Sequence, residues 1–179
     1  MTATVPSWDL FISLFFVIGI AYGIILQRDR VVACLLSVYV ALLVSEQLVE
    51  PIGQFFQGDK TLFNQIWIRS NTSPFTIQTG LFIAIVVLLS AKGGLGHGRS
   101  RGGIGNLEVL VYSFLNTALI VASIFSFLPE ATLEAYRHSS KLVAMLMQYQ
   151  QAWQLLPVVA LIFFGFQRHP RRLAYEDEY

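Results

Sequence analysis

Glu46 and Glu50 stand four residues apart, a spacing that puts both carboxylates on one face of a helix. Ionisable groups close to hydrocarbon are costly and often mark proton or ion routes. With Asn116, which lies deep in a later apolar run, the two glutamates form a candidate ion or proton path. The competing reading is that both carboxylates sit at a membrane interface and are hydrated. A second feature is the basic, glycine-rich stretch over residues 92 to 106, with Lys92, Arg99 and Arg101. It could bind anions, but it lacks the Gly-Lys-Ser/Thr ending of a phosphate-binding loop. Contact with anionic lipid headgroups fits better, at about 1 kcal/mol for each charge near the surface. Arg168, Arg171 and Arg172 in the tail over residues 167 to 179 suit the same role. His97 reads as a solvated residue. No serine–histidine pairing, His-x-x-x-His pair or Asp-rich motif is present, so no catalytic residue, metal ligand or cofactor-binding residue is assigned. The expectation is a protein that is not an enzyme and needs no cofactor.

The elements that would carry these residues are apolar helices. Residues 75 to 91 hold no charged side chain, and a helix of that length, rising 1.5 Å per residue, approaches the roughly 30 Å of a hydrocarbon core. Only 13% of the chain is charged and 55% is hydrophobic, against about a quarter charged in soluble domains. The fold class expected is all-α: a polytopic helical membrane protein with four to five transmembrane helices in a single domain. Spans fall near residues 9 to 26, 31 to 49, 75 to 91, 108 to 128 and 150 to 166. The fifth is short, because its fully apolar part begins only at Leu155 and is preceded by Gln148, Gln150, Gln151 and Gln154. Pro157 within it predicts a kink that neighbouring helices can satisfy. The apolar start of the chain has no lysine or arginine before Arg28, which predicts a retained first span, with Trp8 at headgroup depth. The single cysteine, Cys34, falls within the second span; it rules out an intramolecular disulfide and reads as a packing residue. A net charge of +1 gives no reason to expect a nucleic-acid partner.

Lysine and arginine distribution sets the expected orientation. Arg28, Arg30, Lys92, Arg99, Arg101, Arg168, Arg171 and Arg172 fall in one set of connecting segments, whereas Lys60, Arg69, Arg137 and Lys141 fall in the other. The first set is therefore placed on the cytoplasmic side, the N-terminus outside and the C-terminus inside.

Two outer segments are more than connectors. Residues 51 to 71 mix Phe55, Phe56, Leu62, Phe63, Ile66 and Trp67 with polar residues, as a segment lying against the membrane surface would. Residues 130 to 151 place Leu133, Tyr136, Val143 and Met147 on one face, which predicts an amphipathic outer helix running into the fifth span. Within the spans, Ser37, Tyr39, Ser45, Asn116, Thr117, Ser123 and Ser126 are expected to hydrogen-bond between helices. Together with Gly19, Ala21 and Gly23 they indicate close helix packing or an oligomer interface. Glu108 opens the fourth span, where a carboxylate favours a helix N-terminus, with Asn106 as its cap.

The order of these features resembles the CvpA family, small bacterial inner-membrane proteins named for colicin V production. The matching parts are Trp8-Asp9-Leu10 ahead of an apolar span with Gly19 and Gly23, the charged turn Gln27-Arg28-Asp29-Arg30 with an immediate second span, and the glycine-rich loop ending in Gly102-Gly103-Ile104-Gly105 before a fourth span. The long outer helix and fifth span go beyond that pattern. The resemblance implies an accessory protein of the bacterial cytoplasmic membrane, linked to toxin export or envelope maintenance, with no catalytic residues to transfer. Its partners would be the lipid bilayer and other membrane proteins or further copies of itself. A channel or transporter subunit is the alternative, and it requires Glu46, Glu50, Asn116 and the glutamines Gln148, Gln150, Gln151 and Gln154 to converge on one cavity.

Overall fold

The computed structural model describes residues 7–26, 28–57, 73–92 and 106–166. All regular structure among them is helical: α1 (Trp8–Leu26), α2 (Arg28–Gln57), α3 (Pro74–Lys92), α4 (Asn106–Ser126), α5 (Glu130–Ser139), α6 (Lys141–Gln148) and α7 (Gln150–Phe166). Four helices, α1 to α4, are long and apolar enough to cross a membrane, and α7 is a shorter apolar helix. The chain is thus an all-α, polytopic helical membrane protein.

The centre of the bundle is α4. Its most apolar stretch is 56% buried within the chain, whereas those of α1 and α3 are 11% buried. One side of α4 meets α2 and α3 around Val38, Ala41, Leu42, Phe82 and Leu119. Its other side, through Val121, Ala122 and Phe125, packs with Ile12, Leu133, Val143, Leu146 and Met147. α3 packs chiefly on α2, and α1 chiefly on α4.

The α1–α4 contact depends on two glycines one helical turn apart. A β-carbon built on Gly19 would lie 2.2 Å from Thr117 Oγ1, and one on Gly23 would lie 1.9 Å from Ser113 Oγ. Neither distance is compatible with a side chain. Small residues at this spacing let two backbones approach, and in lipid the resulting van der Waals contact is a main source of helix association. The close packing expected around Gly19 and Gly23 is therefore realised inside the chain.

Two expectations are corrected. The second helix does not end near residue 49; α2 continues through Pro51 to Gln57, so residues 51–57 extend it. The rest of the anticipated surface segment lies outside the described residues. The outer helix is also not one piece. Ser140 is extended (φ −137°, ψ 123°) and separates α5 from α6, while Tyr149 separates α6 from α7. The predicted face survives the break, since Leu133, Val143 and Met147 are buried.

Ser140 is also the N-cap of α6, its hydroxyl accepting from the Val143 N–H at 3.1 Å. That hydroxyl donates to Asp9 Oδ1 of α1, and the same carboxylate oxygen accepts from the Leu142 N–H at 3.1 Å. A carboxylate at a helix N-terminus satisfies orphan donors and meets the positive end of the dipole. Asp9 thus ties the start of α1 to the start of α6. Trp8 stacks edge-on against Tyr136 of α5 with centroids 4.6 Å apart, reinforcing the junction.

α7 has 17 residues, about 26 Å at helical rise, and runs antiparallel to α4. Tyr39 of α2 donates to the Gln154 carbonyl at 2.5 Å, and Tyr112 of α4 donates to the Ala160 carbonyl at 3.3 Å. These bonds flank the buried Pro157, whose ring removes one backbone donor and crowds the preceding turn. The carbonyl that Pro157 frees is that of Trp153, four residues earlier; the two tyrosines fasten α7 to α2 and to α4 on either side of it. α6 occupies the level of Phe125 and α7 continues from there to that of Tyr112, so the two together run the height of the bundle.

Gly23→Leu is expected to force α1 off α4 and to destabilise the protein by about 1–3 kcal/mol, the usual range for overpacking. Gly80 has nothing within 4 Å of its would-be β-carbon, so Gly80→Ala should be neutral or stabilising by at most about 1 kcal/mol. Thermal unfolding of both variants in one detergent checks the contrast.

Candidate functional site

α1 and α3 lean on different neighbours and leave a wedge between them, floored by α2 and α4. It forms a cavity of about 670 Å³, within the roughly 300–1,000 Å³ of small-molecule sites. Its walls are mainly apolar, with Phe15 and Ile18 of α1, Val86 and Val87 of α3, and Ile120 of α4.

A short polar track runs along this floor. Asn116 Nδ2 donates to Cys34 Sγ at 3.5 Å, and Ser90 Oγ approaches the same sulfur at 3.7 Å. These contacts join α4, α2 and α3 at one level. Asn116 Oδ1 is buried and has no hydrogen-bond partner. Arg30, at the start of α2, lines the cavity toward the end where α1 finishes and α3 ends in Ala91 and the exposed Lys92. Arg30 itself is exposed and makes no ion pair among the described residues. The groups nearest the Cys34 sulfur are a hydroxyl and an amide, neither of which accepts a proton at neutral pH.

The three residues of the candidate ion path are not brought together. Asn116 lines the cavity, whereas Glu46 and Glu50 are exposed and absent from its walls. They lie 12 and 16 residues beyond Cys34 on the same helix, about 18 and 24 Å along its axis. Glu50 instead accepts from Gln54 Nε2 at 3.4 Å, one turn on. Of the anticipated lipid-contacting cations, Lys92 is exposed at the end of α3. Arg99, Arg101, Arg168, Arg171 and Arg172 lie outside the described residues, as do the glycines of the loop. Glu108 is 5% exposed in the first turn of α4.

Comparison with family models, curated proteins and solved structures returns no match.

The hydroxyls within the spans differ from expectation. Ser37, Thr117 and Ser123 donate to carbonyls four residues earlier on their own helix, and Ser45 and Ser126 to carbonyls three residues earlier. A helix in lipid offers such carbonyls at no cost in reach, and short side chains take them first. Of the residues expected to bond between helices, Tyr39 and Asn116 do so, because their polar atoms extend far enough. Sequence reading missed the cavity role of Arg30, Cys34 and Ser90. The signal was weak: residues 34 and 90 meet only because α2 and α3 pack antiparallel.

Tyr39→Phe is expected to cost about 0.6 kcal/mol, the average for a hydrogen bond between membrane helices. Asp9→Ala should leave α1 to α4 intact while speeding amide exchange across residues 130–148. Hydrogen-exchange mass spectrometry of both variants locates each effect.

Proposed function

We propose that this chain is a non-enzymatic structural or accessory protein of a bacterial cytoplasmic membrane, of the colicin V production type, working within a larger membrane assembly in toxin export or envelope maintenance. The observation that carries the reading is how little of α1 and α3 the chain buries for itself, 11% of the most apolar stretch of each. Those faces offer Leu10, Leu14, Val17 and Ile25 on α1, and Ile83 and Leu88 on α3, to other membrane-embedded surfaces. The glycine pair of α1 is already engaged with α4, so association with other proteins uses the larger side chains of its outer face.

Most hydroxyls of the spans support the same reading, since Ser37, Ser45, Ser113, Thr117, Ser123 and Ser126 are spent on their own helix backbones and Tyr39 and Tyr112 on fastening α7. A solute path would need Glu46, Glu50 and Asn116 on one cavity, and their separation weighs against it. In the proposed orientation the N-terminus is outside, and the turn over residues 27 to 30, the loop over residues 92 to 106 and the C-terminus are cytoplasmic.

Purification from the native membrane into nanodiscs, followed by mass determination of the intact assembly, is expected to find the chain in a stoichiometric complex with other membrane proteins or with further copies of itself. A monomer accompanied only by lipid would overturn the accessory reading. A C-terminal green fluorescent protein fusion should fluoresce and a C-terminal alkaline phosphatase fusion should be inactive; the reverse result would overturn the orientation.

A further inference from the structure

The wedge between α1 and α3 is open along one side and closed on the other by α2 and α4. Its walls are apolar over most of their length, yet its two ends differ. Toward the Lys92 end stands the guanidinium of Arg30, exposed and without an acidic partner among the described residues. Asp29 is exposed beside it in sequence but does not line the cavity. The other end carries only hydrocarbon side chains. An apolar slot with one cation at its rim is complementary to an amphiphile with one anionic head and a long chain. A neutral helix from another protein would leave Arg30 without a partner, and a free anion would leave the slot unfilled.

We propose that this cavity is a binding site for one anionic phospholipid, its phosphate paired with Arg30 and one acyl chain lying in the slot past Ser90 and Cys34. Arginine suits this task because its planar fork offers two parallel donors to phosphate oxygens. Val87 and Ile18 form the opposing walls that the chain would contact. The site is separate from general attraction of the basic loop to the membrane surface, because it fixes one lipid at one place. It also stands independently of the accessory role proposed above.

The test is native mass spectrometry of the intact protein released from nanodiscs containing equal parts phosphatidylglycerol and phosphatidylcholine. Wild type is expected to retain one phosphatidylglycerol per chain. Arg30→Gln should lower that retention about fivefold, the value of one charge near the membrane surface. Arg30→Lys should keep part of it, and Val87→Trp should remove it by filling the slot. Cys34 is the sole cysteine and gives a second readout on the folded protein. Its alkylation by N-ethylmaleimide should be slower in phosphatidylglycerol than in phosphatidylcholine, and the difference should vanish in Arg30→Gln. Equal retention of the two lipids by wild type, or retention unchanged in both Arg30→Gln and Val87→Trp, would overturn the proposal. Cys34 protection that follows protein concentration and ignores lipid would overturn it in favour of a second copy of the chain.

Discussion

Everything else in the bundle depends on how closely α1 can approach α4. In water, burying the apolar face of α1 would hold it in place; in lipid the solvent is as apolar as the helix and that drive is absent. What remains is contact, and Gly19 and Gly23 provide it by letting Thr117 and Ser113 come to distances that a methyl group would forbid. The two hydroxyls donate to the Ser113 and Val109 carbonyls of their own helix, so no unsatisfied polar group is brought into the contact. With α1 seated, Asp9 falls beside Ser140 and Leu142, and α6 gains a cap from another helix. α1 thereby fixes the far end of the molecule as well as its own crossing.

The last crossing illustrates a different constraint. A helix with 17 residues and an internal proline has little margin in a membrane. The chain meets this with α6, an amphipathic helix of about two turns set end to end with α7, and with tyrosines from two other helices that donate to carbonyls on either side of Pro157. The breaks at Ser140 and Tyr149 let α5 lie over the end of the bundle, where the ion pairs of Arg137 with Glu134 and Glu130 are exposed and contribute little. The aromatic contacts there, from Trp8 through Tyr136 to Phe125, form a continuous edge-to-face chain between α1, α5 and α4.

Much of this architecture is legible in the residues themselves. Apolar length gives the four long helices, because crossing a membrane is a constraint on composition and needs no knowledge of neighbours. The buried face through Leu133, Val143 and Met147 follows from periodicity for the same reason. The continuation of α2 through Pro51 was not legible, since proline at that place ends a helix as often as it bends one. The break at Ser140 hinges on Asp9, 131 residues away, and no local pattern announces it. Glu46 and Glu50 stand out as charges in an apolar chain, but both are exposed on α2 and absent from the cavity walls. The cavity is marked instead by Arg30, Cys34, Ser90 and Asn116, which sit on three helices and look ordinary one at a time.

The cavity is a consequence of that packing. α1 is committed to α4 by its glycines, and α3 is committed to α2 by the cluster around Phe82 and Leu42. Each outer helix is therefore held by a different inner one, and neither can move toward the other without giving up a contact that a less closely fitted pair would not have. The wedge between them stays open for the same reason that the bundle is ordered. The polar floor of the wedge follows too: Cys34, Ser90 and Asn116 satisfy one another only weakly, through sulfur, and Asn116 Oδ1 is left without a donor. A core selected for helix packing alone would favour alanine or leucine at position 116, because an amide with an unsatisfied oxygen is costly in a low dielectric. Its place on the floor of the wedge, beside Cys34 and Ser90, supports the reading of the wedge as a binding site proposed above.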